Sequence, residues 1–561
     1  VVAAAAISTL AFTVTAHASG VTFPTPTKLQ NGGGGEPMVV ADTVGNVVVS
    51  APQGVGGGEG DYWVSHDSGV SYPTSPLLLG GPSGGGDEDE AFAPQDGTSF
   101  AGRLYIADLA ATYSTVCTST DHGNTFNAVG PAPDPNHCMA TPLGQVGPSS
   151  DRQWLTTDKN GRAYLTYHEF NSAQPLAFTT TNGGADGFST ACGSIIGTND
   201  PLIEQYVPQD ITGGTLVSKP VVDSAGNLYV LFTTTTQQEN AAAVAAGHPT
   251  GTFSEVFMAV STDHCATFND YTVYDGYNSN LPCNLVPTCN AVQFGDIFND
   301  LEIDSAGNLY SIAAGFVGTT AFAPTTDIYL FTSPASSHGQ TWSGPIKLTN
   351  DGQGHMMPAA TTGISPGQLA VGYFETVNGI TDPNNTSAQW AYSVIETNDA
   401  LAASPIFSGA QMTGGSGPNG NIYHTGAICN LGIICNPLSA SGDRSLADFT
   451  SATDEVVPLA NGPPSLNPSL EGCPIFSWAG NPNGDNNGTF NYVAMQSAGC
   501  FLASNPVGIP ETPWPVLLVP VAALLGGAAF RVRRRQQLDT HPESSNTFHE
   551  PGAHKEGPSQ W

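Results

Sequence analysis

One phrase returns along this chain and limits what it can fold into. Ser65-His-Asp67-Ser-Gly69-Val-Ser71-Tyr72 comes back as Ser119-Thr-Asp121-His-Gly123-Asn-Thr125-Phe126, and again as Ser261-Thr-Asp263-His-Cys265-Ala-Thr267-Phe268. A worn copy reads Ser337-His-Gly339-Gln-Thr341-Trp342, and a fainter one surrounds Asn182-Gly-Gly184. A unit repeated within one chain implies a supersecondary element stacked on copies of itself. The phrase S-x-D-x-G-x-[ST]-aromatic has a structural reading. Ser and Asp side chains fold back onto nearby N–H groups and tie a tight turn. Gly supplies a backbone conformation closed to other residues, and the aromatic plugs the gap between neighbouring sheets. It is a rivet, not a catalytic motif. Cys265 replaces the Gly in one copy, which predicts a different turn there.

A second phrase precedes the first. Asp42-Thr-Val-Gly45-Asn46, Asp158-Lys-Asn-Gly161-Arg162, Asp223-Ser-Ala-Gly226-Asn227 and Asp304-Ser-Ala-Gly307-Asn308 each lie between apolar runs. That is a hairpin signal. Together the phrases define a four-stranded unit: a hairpin, a variable loop, then a second hairpin. Seven such units start near Pro37, Ala91, Gln153, Pro220, Asp300, Met357 and Ser445. The sixth and seventh show no readable copy of the first phrase, and the seventh lacks a fourth strand. Residues 21–29 read as an outer strand without a unit of its own, so they are expected to complete the last unit and close a ring. The 66 Gly and 43 Pro among 561 residues suit a turn-rich, all-β chain.

The first phrase resembles the Asp-box (BNR) repeat of sialidases and related β-propellers. The resemblance implies an all-β, sialidase-like β-propeller of four-stranded blades. The unit count gives seven blades, with six, as in sialidases, the alternative.

The two ends read as addresses. Residues 1–18 form an apolar stretch ending Ala16-His17-Ala18, a signal-peptide cleavage pattern. The propeller is expected over 19–505 and a linker over 506–512. An uncharged run at 513–530 is long enough for a transmembrane helix, and Arg531-Val-Arg533-Arg534-Arg535 should stay cytoplasmic with a polar, disordered tail to residue 561. The expectation is a single-pass cell-membrane protein with its body outside. Ile509-Pro-Glu-Thr512-Pro513 resembles a cell-wall sorting signal but departs from it at two positions, leaving wall association as the alternative. Ten cysteines in an exported body favour disulfides over metal. Local pairs would be Cys117–Cys138, Cys283–Cys289, Cys429–Cys435 and Cys473–Cys500, leaving Cys192 and Cys265 for each other, although spacing alone leaves the pairing open.

The formal net charge is −34, with only 13 Lys and Arg against 47 Asp and Glu. No basic patch lies on the exported part, so nucleic acid is excluded as a partner. So few cations suit an acidic setting, where carboxylates are neutral and each remaining cation adds to self-repulsion.

In sialidase-like propellers the site lies where the first strands begin, on the face away from the Asp boxes. Carried onto this chain, that geometry gives Glu36, Asp87, Asp89, Asp151, Arg152, Lys219, Asn299, Asp300, His355, Asp443 and Arg444. Glu36, Asp87, Asp89, Arg152, Asp300, His355 and Arg444 are the candidate ligand-binding set, and Arg152, Arg444 and Asp87 the catalytic candidates. Sialidases grip a carboxylate with three arginines, use an Asp as acid/base, and attack with a Tyr activated by a Glu. The guanidinium fork explains the arginines. This exported body has four: Arg103, Arg152, Arg162 and Arg444. Arg162 falls in a turn on the wrong face and Arg103 on a second strand, leaving two. Tyr167 with Glu169, or Tyr373 with Glu375, imitates the Tyr/Glu pair. Arg152 and Arg444 also sit beside acids, which suggests a structural ion-pair set clamped by Asp151, Asp443 or Asp87. Asp87, with Glu88 and Asp89, is a possible Ca²⁺ site, since hard cations take several carboxylate oxygens; no cofactor is required. The expected function is binding of a glycan or surface protein at the channel mouth without catalysis. The alternatives are a sialidase-like exo-glycoside hydrolase and a structural surface-layer component.

Overall fold

The structure is a computed structural model. It describes residues 21–53, 59–80, 86–94, 100–110, 113–128, 150–169, 174–181, 183–184, 188, 190–196, 216–234, 255–275, 299–317, 325–428, 443, 445–454, 472–484, 488–497 and 500–501. The leader, linker, transmembrane and tail expectations all fall outside these residues. So do Arg444, Cys138, Cys283, Cys289, Cys429 and Cys435. Among the described residues no helix is long and apolar enough to cross a membrane.

Seven antiparallel sheets follow one another in chain order. Blade one comprises Met38–Ala41, Val47–Pro52, Glu59–Ser65 and Leu77–Gly80. Blade two comprises Glu88–Phe92, Leu104–Ala110, Tyr113–Ser119 and Asn127–Ala128, and blade three Ser150–Thr157, Ala163–Glu169, Gln174–Thr180 and Thr190–Ala191. Blade four divides its first strand into Leu216–Val217 and Val221–Val222, both paired to Leu228–Thr234, and continues with Glu255–Ser261 and Asn269–Asp275. Blade five comprises Asp300–Ile303, Leu309–Val317, Thr325–Ser333 and Ser343–Lys347. Blade six comprises His355–Thr362, Leu369–Thr376, Gln389–Thr397 and Ser408–Gln411, with His424–Thr425 added beside its third strand. Blade seven comprises Ser451–Asp454, Pro474–Gly480 and Phe490–Met495.

The missing fourth strand of blade seven is Thr27–Lys28, with Thr27 opposite Val493 and Lys28 opposite Tyr492. The Lys28 ammonium also lies 3.1 Å from the Phe490 ring centre, a cation–π contact across the closure. First strands touch in sequence around the ring, and that of blade seven touches that of blade one. The fold is therefore a closed seven-bladed β-propeller, whose radial repetition leaves only short, protected sheet edges. One boundary moved. The seventh unit, expected to start near Ser445, has its first strand at Ser451, with residues 446–449 leading into it.

The repeated phrases make the contacts that their chemistry predicts. Ser65 Oγ bonds Asp67 at 2.7 Å and accepts the Gly69 N–H at 3.0 Å, while Asp67 accepts the Ser71 N–H and hydroxyl at 2.9 and 2.6 Å. Ser119/Asp121 and Ser261/Asp263 repeat this pattern. In blade six, where the sequence shows no copy, Thr397 and Asp399 still form the opening pair at 2.5 Å. The hairpin aspartates each tie their own turn; Asp304 accepts the Ala306 and Asn308 N–H groups at 3.0 and 2.9 Å. The two phrases also meet across blades, with His122 of blade two 2.7 Å from Asp42 of blade one.

Cys265 corrects one expectation. Its turn has the same geometry as its siblings, with Cys265 held at φ 68° where Gly69 and Gly123 have 73° and 87°. The Gly position of this turn faces the preceding blade: a Cβ on Gly123 would meet Val64 at 3.1 Å. A cysteine at that position reaches across, and Cys265 is bonded to Cys192 just past the last strand of blade three. The sequence converts a steric requirement for Gly into a covalent staple between blades. The Cys473–Cys500 bond expected from spacing is present within blade seven. Cys117 is also disulfide-bonded. Between blades six and seven the joint is aromatic, with Tyr392 stacked on Trp478 at 4.4 Å and Tyr423 edge-on to Trp478 at 5.3 Å.

The staple makes a prediction. Replacing the pair by Cys192→Ser with Cys265→Ser should cost about 2–4 kcal/mol. Cys192→Ser with Cys265→Gly should cost about 1 kcal/mol less, because Gly relieves the left-handed backbone. Chemical unfolding of both double variants reads the difference. Equal losses would show that Cys265 is held there without conformational penalty.

Candidate functional site

The axial face is built where first strands begin, and its backbone is unusual. Glu36, Arg152, Met357 and Ala447 have φ of 42°, 55°, 53° and 62°. Left-handed non-glycine residues cost on the order of 1–3 kcal/mol each and persist only where the surroundings hold them. Two of them lie inside first strands that bulge, between Asp151 and Trp154 and between Met356 and Ala359. A bulge re-aims a side chain that regular alternation would send elsewhere.

At Arg152 the consequence is clear. Its guanidinium is buried and ion-paired with Asp448, which precedes the first strand of blade seven. The carboxyls of Asp87, Asp151 and Glu36 surround the same guanidinium, so blades one, two, three and seven converge on one cation. Burial pushes the Glu36 carboxyl well above its ordinary range, aided by Asp87 and Asp448 and opposed by Arg152. Burial and Asp87 push Asp151 up to about 7. Arg152 is held still more firmly protonated, its own desolvation outweighed by Asp448 and the other acids. Gln153 ties the strand to blade two by donating to the Asp87 carbonyl.

The clamp was legible in part. Arg152 beside acids was expected, but its direct partner is Asp448 rather than Asp151, Asp443 or Asp87. These two residues lie 296 positions apart, which sequence spacing does not reveal.

The other candidates do not join this cluster. Asp89 is fully buried, bonding the Lys219 ammonium at 2.6 Å and accepting the Leu155 N–H at 2.5 Å. Asp300 accepts the Leu301 and Ala360 N–H groups at 2.9 and 2.7 Å. His355 is buried between blades five and six, 3.3 Å from Asp351 and 3.6 Å from Asp327, with Glu375 nearby and the Tyr373 ring centre at 5.5 Å. Lys347 bonds Asp327 at 2.6 Å. Despite burial, these acids push His355 up to about 9. Tyr167 and Tyr373 are both buried. Arg103 donates to the Gly183 carbonyl between blades two and three, beside a second strand and not at the mouth. Of the acids considered for Ca²⁺, Asp89 bonds Lys219 and Leu155, and Asp87 hydrogen-bonds Glu36. Among the described residues no group of three His, Cys, Asp or Glu is arranged to hold a metal ion.

The first strands enclose an axial cavity of about 230 Å³, lined by Met38, Trp154, Lys219, Asn299, Asp300 and Phe449 among others. Trp154 meets Phe449 edge-on at 5.3 Å and is fixed by its indole N–H to the Val217 carbonyl at 2.9 Å. Sequence reasoning missed this aromatic pair as site residues. The signal was the Trp two places after Arg152, directly after the polar run Ser150–Gln153.

No protein-family model matches this chain, and no curated protein matches it. Solved structures with a similar fold include a protein of unknown function from Dyadobacter fermentans, at 11% identity and TM-score 0.41 over 85% of this chain and 100% of that one. The polysaccharide lyase Uly1 matches at 11% identity and TM-score 0.47, over 82% and 90% of the two chains. The NanB sialidase from Streptococcus pneumoniae matches at 10% and 0.36, over 85% and 70%. These likenesses are of fold.

The buried acids set the pH dependence of stability. Glu36, Asp61, Glu88, Asp89, Asp300 and Glu375 are all raised by burial, Glu90 to about 8 and Glu396 and Asp151 to about 7. An acid whose folded pKa is raised contributes stability present below its unfolded value and lost as pH climbs through the folded one. Each such group contributes a slope of about 1.4 kcal/mol per pH unit in that window. His355 acts in the same direction, its contribution present below about 6.5 and lost as pH rises through about 9. The turn aspartates Asp67, Asp121 and Asp263 are lowered by hydrogen bonds that outweigh burial, and lose their contribution only as pH falls below the ordinary carboxylate range. The melting temperature should therefore peak near pH 4–5 and fall steadily toward pH 8. Calorimetry across that range checks this, and a maximum at neutral pH would refute it.

Proposed function

We propose that this chain is a carbohydrate-binding propeller that holds a glycan at the axial mouth without cleaving it. The observation that carries this reading is the state of Arg152. A sialidase needs free guanidinium forks to grip a substrate carboxylate. Arg152 is buried, paired with Asp448 and hemmed in by three more carboxyls. It acts as a clasp between blades, and a polar-lined cavity enclosed by the first strands is the space a glycan end would enter. Display outside a cell, with 513–530 as the membrane anchor, belongs to the same proposal and rests on the sequence.

One observation favours a hydrolase as the second reading. Asp87 and Asp151 share the mouth, and Asp151 is raised to about 7, as a general acid for glycoside hydrolysis would be.

The test uses the full chain with a fluorogenic sialoside from pH 3 to pH 7, beside a glycan array. The expected result is no turnover, with retention of one or more glycans on the array. Turnover that Asp87→Asn abolishes while its melting temperature is kept would make this an enzyme.

A further inference from the structure

We propose that the face of the propeller opposite the mouth, at blades six, seven and one, rests on a lipid surface, with the exposed side chains of Ile364, Leu401, Ile406 and Val70 dipping into it. This rests on the membrane-anchor part of the reading above and adds an orientation to it: the mouth points away from the bilayer.

The exposed apolar side chains are not spread evenly. Among the described residues seven large ones are exposed, and all but Phe490 belong to blade ends away from the mouth. Ile364 lies in the turn between the first and second strands of blade six, and Leu401 and Ile406 in the loop between its third and fourth. Val70 lies in the matching loop of blade one, where Leu77 and Leu78 open the fourth strand. The Ala400 N–H donates to the Gly367 carbonyl at 3.0 Å, which joins the two blade-six turns. Both groups touch blade seven between them. A Cβ on Gly472 would strike Ile364, and one on Gly69, beside Val70, would meet Met495 at 3.4 Å.

The stretches that carry these side chains hold no charge. Residues 68–78, 363–368 and 400–407 contain no Asp, Glu, Lys, Arg or His, in a chain of net charge −34. The turns on the same face of blades two, three and four carry His122, Lys159 and His264. Backbone groups in the blade-six turns are satisfied from within. The Asp399 carboxylate accepts the Ile406 N–H at 3.1 Å, the Asp399 carbonyl accepts the Ala402 N–H at 2.7 Å, and Gln368 accepts the Ser365 N–H at 2.8 Å. A tip whose polar groups are already paired can leave water without stranding a donor. Grouped exposed apolar residues with polar surroundings mark a protein or membrane contact.

The point where the chain leaves the propeller selects lipid. Cys500 is bonded to Cys473, the Phe501 N–H donates to Glu396 at 3.3 Å, and the Phe501 carbonyl accepts from the Asn398 amide at 2.5 Å. The Phe501 ring is buried against Gly363, next to Ile364. The chain is therefore pinned to blade six among the exposed apolar side chains. The run expected to span a membrane begins at residue 513, and an extended chain from Phe501 to that point reaches at most about 40 Å. Turning the mouth to the lipid would use up about 25–30 Å of that reach in passing along a blade whose strands have 8 or 9 residues.

The test reconstitutes the full chain in phosphatidylcholine vesicles, once with ordinary lipid and once with lipid brominated along its acyl chains, which quenches nearby tryptophan emission. Trp514, in the apolar run, reports the anchor in the native chain. Ile406→Trp and Leu401→Trp report the face opposite the mouth. Phe490→Trp reports the mouth side, because Phe490 opens the third strand of blade seven. All three positions are exposed, so the variants should melt as the native chain does. Brominated lipid should quench the native chain, remove most of the emission added by Ile406→Trp or Leu401→Trp, and leave that added by Phe490→Trp. Quenching of the native chain with the added emission of both Ile406→Trp and Leu401→Trp untouched, or an equal loss from Phe490→Trp, overturns this inference and leaves the anchor standing. No quenching in the native chain or any variant overturns both.

Discussion

One cation buried on the axis organises the mouth of this propeller. Four blades send an acidic side chain toward Arg152 or carry the residue itself, and no other arginine among the described residues joins it. A guanidinium cannot shed its charge in a protein, so the acids around it must balance one positive charge and no more. Asp448 supplies the direct pair. The surplus carboxyls of Glu36 and Asp151 then hold protons far above their ordinary range. The bulge and the left-handed φ at Arg152 follow from the same demand, because the side chain must leave the alternation of its strand to reach the axis.

The scarcity of lysine and arginine, visible in composition, recurs at the scale of single interfaces. Between blades one and two, Glu88 and Glu90 are fully buried near Asp61 and Asp108, and the first three are raised by burial. Ser50 is the polar neighbour that Glu88 and Glu90 share. A neutral protein would have placed a cation between such acids. Here burial raises the Glu88 and Glu90 carboxyls instead, so that each holds its proton above the ordinary carboxylate range.

The fold was legible because its signals are local. An Asp that ties its own turn, a Gly or Cys at a left-handed position and an aromatic that closes a gap each act within a few residues. Their repetition pointed to seven blades, with six as the alternative, and to a closing strand within residues 21–29, where the structure has Thr27–Lys28. The site was legible only as a zone. Glu36, Asp87 and Arg152 were placed together correctly as residues near strand starts. Asp89, His355 and Asp300 shared that sequence position but turn to Lys219, to Asp327 and Asp351, and to backbone amides. The difference is set by bulges and by partners up to 296 residues away, and neither leaves a mark in spacing. Trp154 and Phe449 were overlooked because an aromatic at a strand start is ordinary until a cavity lies beside it.

The central claim is that Arg152 is a clasp rather than a substrate anchor. A double-mutant cycle tests it most directly, with Arg152→Leu, Asp448→Leu and the pair unfolded in denaturant at pH 6. Each single variant should lose about 3–5 kcal/mol by stranding a buried charge, and the double variant should recover at least about 2 kcal/mol of the summed loss. Additive losses, or an Arg152→Leu variant as stable as the native chain, would contradict the account and return Arg152 to the pool of residues free to bind a substrate.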